Sequence, residues 1–333
     1  MTKVAINGFG RIGRAAAKII LGRDDMELVA INDLTDFKTL LFLLGHDTVY
    51  RNFDKEIRIS NDEVYVADKR VHFYSEKEPE KLPWQALGID VVIESTGVFL
   101  DAESCRGHIK AGAKKVVMSA PAKDEETPTY LIGVNDRDYR GEDIISNASC
   151  TTNCIAPVIK IINDNFGVKQ SLMTTIHSYT ADQNLVDGPH KDLRRARAAA
   201  ANIVPTTTGA AKTVTKIIKE LDKKFDGLAI RVPTPVVSLS DIVAVTEKPT
   251  TIDSLNSAFE KASSAELKGI LEVTDEPLVS CDLIGNPASA IVDLSLTNIV
   301  GGNLIKVIAW YDNEWGYSCR LVEMAKHIMC HGN

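Results

Sequence analysis

The run Gly8-Phe9-Gly10-Arg11-Ile12-Gly13 constrains this chain most, because it joins a strand pattern to a helix pattern through a turn few sequences can make. Val4-Ala5-Ile6 reads as a buried strand, and apolar residues from Ile12 to Leu21 recur at helical spacing. Gly8, Gly10 and Gly13 allow the tight turn, the approach of backbone to a pyrophosphate, and close packing of helix on strand. Asp33 lies twenty residues beyond Gly13, after the strand pattern Glu27 to Asn32. A carboxylate there accepts hydrogen bonds from ribose hydroxyls and repels a 2′-phosphate, so the expected cofactor is NAD rather than NADP.

The rest of the first half keeps the same rhythm. Strand patterns at Val91 to Glu94 and Lys115 to Ser119 alternate with helical ones at Phe37 to Leu44 and Asp101 to Ala111. That implies a Rossmann-type, doubly wound parallel sheet with helices on both faces. After about Phe166 the texture changes to long strand runs: Ser171 to Ile176, Leu228 to Val232, Ser238 to Thr246, Ala290 to Leu294 and Leu304 to Tyr311. Helical patterns at Ala210 to Leu221 and Thr251 to Ala262 intervene, so an α+β domain with a mixed or antiparallel sheet is expected. A final helical stripe includes Leu321, Val322, Ala325, Ile328 and Met329, with Ser318 as its N-cap and Gly332 just past its end. The fold class is α/β. The expected division is 1–149 with 315–333 for the nucleotide-binding domain and 150–314 for the catalytic domain, sharing an extensive interface.

Composition narrows the partners. A formal net charge of -7 argues against general nucleic-acid or anionic-membrane binding. No run of about 18 apolar residues appears, and the strand pattern begins at once after Met1, so a cytoplasmic protein without a leader is expected. Six scattered cysteines read as free thiols, and no zinc spacing exists.

Ser149-Cys150-Thr151-Thr152-Asn153-Cys154 is the chemical centre of the sequence. Asp143 to Ala148 reads as a short strand and Ile155 to Phe166 as a helix, which sets Cys150 where one turns into the other. Positive potential at a helix N-terminus favours thiolate, and backbone N–H groups there receive an oxyanion. Pro157 should kink the helix or make its first turn irregular. Cys154 is read as packing. His177 ends an apolar strand run, placed to act as a base toward a thiol, although sequence alone cannot bring the two together. His190 to Arg197 is a dense basic run, readable as a solvated face, a nucleic-acid patch or part of an anion site. Thr206-Thr207-Thr208-Gly209 opens a helix as an anion cradle, and Arg231 follows. Two basic and hydroxyl clusters suit two phosphate groups.

Together these residues resemble phosphorylating glyceraldehyde-3-phosphate dehydrogenases from end to end. The carrying motifs are Ile6 to Arg14, Ser146 to Cys154, Thr206 to Lys212 and Trp310 to Ser318. The resemblance implies Cys150 as nucleophile and His177 as general base. It implies Thr180 and Arg231 for the substrate's phosphate, Ser149, Thr151, Thr208 and Gly209 for inorganic phosphate, and Arg195 between the two. For the cofactor it implies Arg11 and Ile12 at the pyrophosphate, Ser95, Thr96, Gly97 and Ser119 along the groove, Asn313 at the carboxamide and Tyr317 near the nicotinamide. Leu34, Gly188 and Pro189 match the family's NAD preference, while Lys77 departs from the arginine many relatives carry near the adenine. Ser178 to about Asn202 matches a loop that reaches a neighbouring subunit in a homotetramer.

The implied reaction oxidises glyceraldehyde 3-phosphate to 1,3-bisphosphoglycerate through a thiohemiacetal and a thioester on Cys150. Three rivals remain open at this point. One uses erythrose 4-phosphate, although Thr180 and Thr208-Gly209 keep the triose pattern; another hydrolyses the thioester with water. The third is an RNA-binding role through Arg194, Arg195 and Arg197, which the net charge opposes.

Overall fold

The computed structural model describes residues 1–60 and 63–331, which divide into two compact units: 1–148 with 318–333, and 149–317. Gly332, expected beyond the last helix, lies outside the described residues.

The first unit runs β1 (Thr2–Asn7), α1 (Arg11–Leu21), β2 (Met26–Asn32), α2 (Phe37–Gly45), a short ribbon of β3 (His46–Asp47) and β4 (Arg51–Asn52), then β5 (Ile57–Ser60), β6 (Glu63–Val66) and β7 (Lys69–Tyr74). It continues through α3 (Trp84–Leu87), β8 (Val91–Glu94), α4 (Ala102–Lys110), β9 (Lys115–Met118) and β10 (Ile144–Ser146). One sheet has the order β10-β9-β8-β1-β2-β7-β6-β5, parallel from β10 to β7 and antiparallel from β7 to β5. Its apolar strands are nearly solvent-free because helices need both faces; Val92, Val116, Met118, Trp84 and Cys105 share one core. Strand order reverses between β1 and β8, so the ends of those strands diverge into a crevice, the usual ligand position in open α/β sheets.

Between α2 and α3 the structure adds five strands that the sequence pattern does not announce. The strands β3 to β6 are two to four residues long and largely half-exposed or exposed, so hydrophobic alternation is too weak there to mark them.

The second unit contains α5 (Cys150–Phe166), β11 (Val168–Ser178), β12 (Val204–Thr206), α6 (Ala210–Ile217), β13 (Phe225–Val232), β14 (Ser238–Thr246), α7 (Ile252–Ser264), β15 (Leu271–Thr274), β16 (Ala290–Val300) and β17 (Leu304–Tyr311). Helix α8 (Trp315–Cys330) begins in this unit and continues in the first. The sheet order is β12-β13-β11-β14-β17-β16-β15, with β11–β13 and β15–β16 parallel and the other pairs antiparallel. Residues of β14 alternate buried and half-buried along its length, the signature of a sheet covered on one face. The other face carries Leu172, Leu228 and Leu304, all exposed.

Two local expectations change. Helix α5 starts at Cys150, where the thiol was expected at a helix N-terminus, the Ser149 hydroxyl accepting the Thr152 N–H at 3.1 Å and capping it there. It also runs unbroken through Pro157, so the first turn is regular despite the missing N–H. Helix α8 begins three residues before Ser318, because the Asp312 carboxylate accepts the N–H groups of Glu314 and Trp315 at 2.9 and 2.8 Å. Ser318 is instead fully buried.

Gly13 explains the tightest demand of the opening motif. A β-carbon there would come 2.1 Å from the Gly8 carbonyl oxygen and 3.2 Å from Ile6 Cγ2, so the first helix lies directly on the turn. Gly13→Ala should lower unfolding stability by about 1–3 kcal/mol through overpacking, measured by urea titration; a loss under about 0.5 kcal/mol would mean the turn relaxes freely.

Candidate active site and cofactor groove

The first unit contains a groove lined by Asn7, Gly8, Gly10, Asn32, Asp33, Leu34, Lys77, Ser95, Thr96, Val98 and Phe99 among others, with a volume near 710 Å³. Strand ends build it: Gly8 N–H bonds to the Asn32 carbonyl at 2.8 Å, and Ser95 Oγ bonds to the Gly8 carbonyl at 2.7 Å. Gly8 has φ +91° and a β-carbon would strike Thr96 N at 2.5 Å. Gly10 differs, since nothing lies within 4 Å of where its β-carbon would be. That open space before the N-terminus of α1 is where an anion fits. Asp33 is held for recognition, its Oδ2 accepting the Phe9 N–H at 2.7 Å and its Oδ1 the Thr35 N–H at 2.9 Å. The residues therefore fit a dinucleotide.

Not every expected cofactor residue lines this groove. Arg11 places its guanidinium 2.6 Å from Asp47 and over the Tyr50 ring, leaving its backbone as what it offers a pyrophosphate. Gly13 serves packing, as described, and Ile12 is half-buried at the start of α1. Gly97 takes φ +71° in the turn after β8, and Ser119 follows β9, its N–H bonded to the Glu94 carbonyl at 2.9 Å. Asn313 and Tyr317 belong to the second unit and are both buried.

Beneath the groove lies a polar chain that the sequence does not reveal. Glu94 Oε1 accepts from Thr96 N and from its hydroxyl, while Oε2 lies 2.6 Å from Asn7 Nδ2 and 3.2 Å from His108 Nε2. Trp84 Nε1 donates to His108 Nδ1 at 3.0 Å, so His108 carries its proton on Nε2 and donates it to Glu94. Asn32 Nδ2 extends the chain to Asn7 Oδ1 at 2.7 Å. Glu94 and His108 are almost wholly buried.

In the second unit Cys150 Sγ lies 3.6 Å from His177 Nε2. His177 Nδ1 lies 2.7 Å from the Ser178 carbonyl, which only accepts, so Nδ1 is protonated and Nε2 turns its lone pair to the thiol. Burial and the charge of Arg231 push the imidazole down to about 3, so it stands neutral with Nε2 unprotonated. Burial pushes the Cys150 thiol up, opposed by Arg231 and by hydrogen bonds at the helix start. Moving the proton from Sγ to Nε2 sets a thiolate beside an imidazolium without any exchange with solvent. The residue before this turn, Ala148, has φ 56°, a left-handed conformation that a small side chain tolerates at modest cost.

The anion-binding candidates divide. Arg231 Nη1 donates to Thr180 Oγ1 at 3.1 Å and to the Ser178 carbonyl at 3.4 Å, which joins one expected pair beside His177. Arg195 donates to Thr206 Oγ1 at 2.9 Å and to the Thr207 carbonyl at 3.2 Å, and pairs with Asp182. Thr208 and Gly209 precede α6, where Thr208 Oγ1 accepts the Ala210 N–H. Ser149 and Thr151 are already engaged: the first caps α5, and the second lies 2.9 Å from Tyr311 Oη. Tyr311 is a residue sequence reading passed over. Fully buried, it also bonds Thr175 and meets the His177 ring edge-on; its place in the Trp310 to Ser318 motif was the available signal. Part of the basic run is paired, Arg197 with Asp187 at 2.8 Å and Arg195 with Asp182 and Asp192.

All six cysteines are free thiols, Cys154 is buried against Ser240 and Ala309, and no group of metal-ligating side chains occurs among the described residues. No described helix is long and apolar enough to cross a membrane.

Comparison with known families agrees on both halves. Residues 2–102 match the model for the NAD binding domain of glyceraldehyde 3-phosphate dehydrogenase, and residues 149–313 match the model for its C-terminal domain. Glyceraldehyde-3-phosphate dehydrogenase 2 of Synechocystis is 51% identical over 332 residues, 98% of each chain. The glyceraldehyde-3-phosphate dehydrogenase of Geobacillus stearothermophilus is 49% identical over 332 residues, 99% of each. The chloroplastic B form of Pisum sativum is 52% identical over 329 residues, 97% of this chain and 73% of the relative.

Removing the imidazole tests the pair. With His177→Asn, alkylation of Cys150 by iodoacetamide should shift to higher pH, and an unchanged pH profile would remove His177 from thiol activation.

Proposed function

Since the chain belongs to the glyceraldehyde-3-phosphate dehydrogenase family and is an NAD-dependent oxidoreductase of that activity, we propose that Cys150 and His177 perform its chemistry as nucleophile and general base. The observation that carries this reading is the contact of Cys150 Sγ with His177 Nε2 at 3.6 Å, with Nδ1 committed to the Ser178 carbonyl.

The steps follow from proton positions. Cys150 attacks the aldehyde carbon of glyceraldehyde 3-phosphate, and the thiol proton passes to His177 as the thiohemiacetal forms. The N–H groups opening α5 stabilise the oxyanion. Bound NAD supplies the acceptor for the hydride that then leaves this carbon. His177, having returned the first proton to the oxyanion, takes it back from the hydroxyl as the hydride leaves, and a thioester remains on Cys150. Inorganic phosphate attacks the thioester, releasing 1,3-bisphosphoglycerate and restoring the thiolate.

Binding roles follow what the family resemblance implies. Arg231 and Thr180 take the substrate phosphate. Thr208, Gly209 and the turn at Ser149 and Thr151 take inorganic phosphate, with Arg195 between; the two engaged hydroxyls would exchange partners to do so. At the groove, Gly8, Gly10 and the N–H groups of Arg11 and Ile12 serve the pyrophosphate, Gly13 seats the helix that carries them, and Asp33 takes the ribose. Lys77, Ser95 and Thr96 line the groove, Gly97 and Ser119 meet the cofactor from the segments after β8 and β9, Asn313 holds the carboxamide and Tyr317 flanks the ring.

The domain roles follow, residues 1–149 with 315–333 binding NAD and 150–314 carrying the chemistry. A homotetramer is supported by the exposed leucines on the outer face of the second sheet, surface that a partner copy would cover. A cytoplasmic location is supported by the free thiols. Nucleic acid is not required.

Cys150→Ser should lower kcat by at least about 10⁴-fold while NAD still binds; substantial residual dehydrogenase activity overturns the scheme. NADH formation from glyceraldehyde 3-phosphate should depend on added phosphate, and sustained turnover without it would make water the acyl acceptor. Light scattering should give about four times the 36.4 kDa chain mass, and a monomer would refute the assembly.

A further inference from the structure

Three buried side chains behind the base form a closed hydrogen-bond set. Ser178 Oγ and Ser238 Oγ both reach Asn313 Oδ1, at 2.9 and 3.0 Å. Ser238 Oγ already accepts the Ser178 backbone N–H at 3.1 Å, so its own proton has to go to another acceptor. Ser178 and Ser238 are at most 1% exposed, which leaves Asn313 Oδ1 as the acceptor they share.

An amide oxygen only accepts and its nitrogen only donates. Two hydroxyls donating to Oδ1 therefore fix which way the amide faces. Turned over, Asn313 would aim N–H groups at both serines and strand two buried hydroxyl protons, an arrangement that buried polar groups avoid. Both hydrogens on Nδ2 stay uncommitted among the described residues. Ser178 also acts through its backbone, since its carbonyl sets the His177 tautomer. Val237, just before Ser238, has φ 65°, an outlier for a β-branched residue. The strain sits where the chain aims Ser238, as expected of backbone held for a purpose.

We propose that Ser178 and Ser238 are positioning residues for hydride transfer, locking the Asn313 amide so that its N–H₂ and not its carbonyl meets the cofactor carboxamide. The nicotinamide is thereby accepted with its carboxamide oxygen toward Asn313, which selects one face of the ring for the hydride. This rests on the assignment of the carboxamide to Asn313.

The test compares NAD with its 3-acetylpyridine analogue, which keeps the ring carbonyl but lacks the amide N–H₂. In the unaltered enzyme both should be used, and deuterium from a C1-deuterated aldehyde should arrive on one face of the ring. In Ser178→Ala/Ser238→Ala the amide turns freely. The kcat/KM for the analogue should then fall about tenfold further than that for NAD, and deuterium should appear on both faces. The pH profile of Cys150 alkylation should not move, because the Ser178 carbonyl remains. Equal losses with both cofactors and deuterium confined to one face would overturn the lock. Ser238→Cys keeps the volume with a weaker donor and is read the same way if the double variant does not fold. Asn313→Ala separates the two ideas: if it leaves turnover and the deuterated face unchanged, the carboxamide assignment itself fails.

Discussion

The hydrogen bond from His177 Nδ1 to the Ser178 carbonyl, 2.7 Å long and shut away from solvent, governs the chemistry of the second unit. Had the proton sat on the other nitrogen, the imidazole would present an N–H to Cys150 and could take nothing from it. The bond joins neighbouring residues at the end of β11, so it depends on where that strand stops. The same carbonyl receives Arg231, which brings a cation to the thiol and ties His177 to the pair of Arg231 and Thr180. Tautomer and electrostatics thus share one backbone oxygen.

Around that point the fold repeats one strategy. Twice a strand of the first sheet ends and a helix starts. The turn after β1 leads into α1 with open space at Gly10, and the turn after β10 leads into α5, the first helix of the second unit, with Cys150 as its first residue. The first turn needs glycine because backbone closes on backbone, at Gly8 against Thr96 and at Gly13 against Gly8. The second bears a comparable conformation at Ala148, where a methyl group is tolerated. Ser149 then caps the helix, so Cys150, the proposed nucleophile, stands on a helix rather than a loop.

Features that depend on local sequence were legible in the chain. The strand, turn and helix around Gly8, the acid at position 33, and the strand-to-helix passage at Cys150 each lie within a short window with strong period or composition. Long strands such as β14 and β17 were legible to the residue because one face alternates. What was not legible depends on distance along the chain. Nothing local tells that Tyr311 reaches Thr151, or that Asn7, Glu94 and His108 share one network, since their separations run from 14 to 160 residues. Helix α8 starts early for a related reason: Asp312, read only as part of a motif, satisfies N–H groups that the apolar stripe does not mark. The ribbon between α2 and α3 escaped because short exposed strands carry almost no periodic signal.

The polar chain under the groove has a further consequence. Trp84 is the sole tryptophan of the first unit, and its indole N–H ends on His108, two hydrogen bonds from Thr96 at the groove wall. Indole emission responds to the polarity around that N–H. The first unit therefore carries an intrinsic fluorophore wired to the floor of its own ligand groove, while Trp310 and Trp315 belong to the second and report on a different environment.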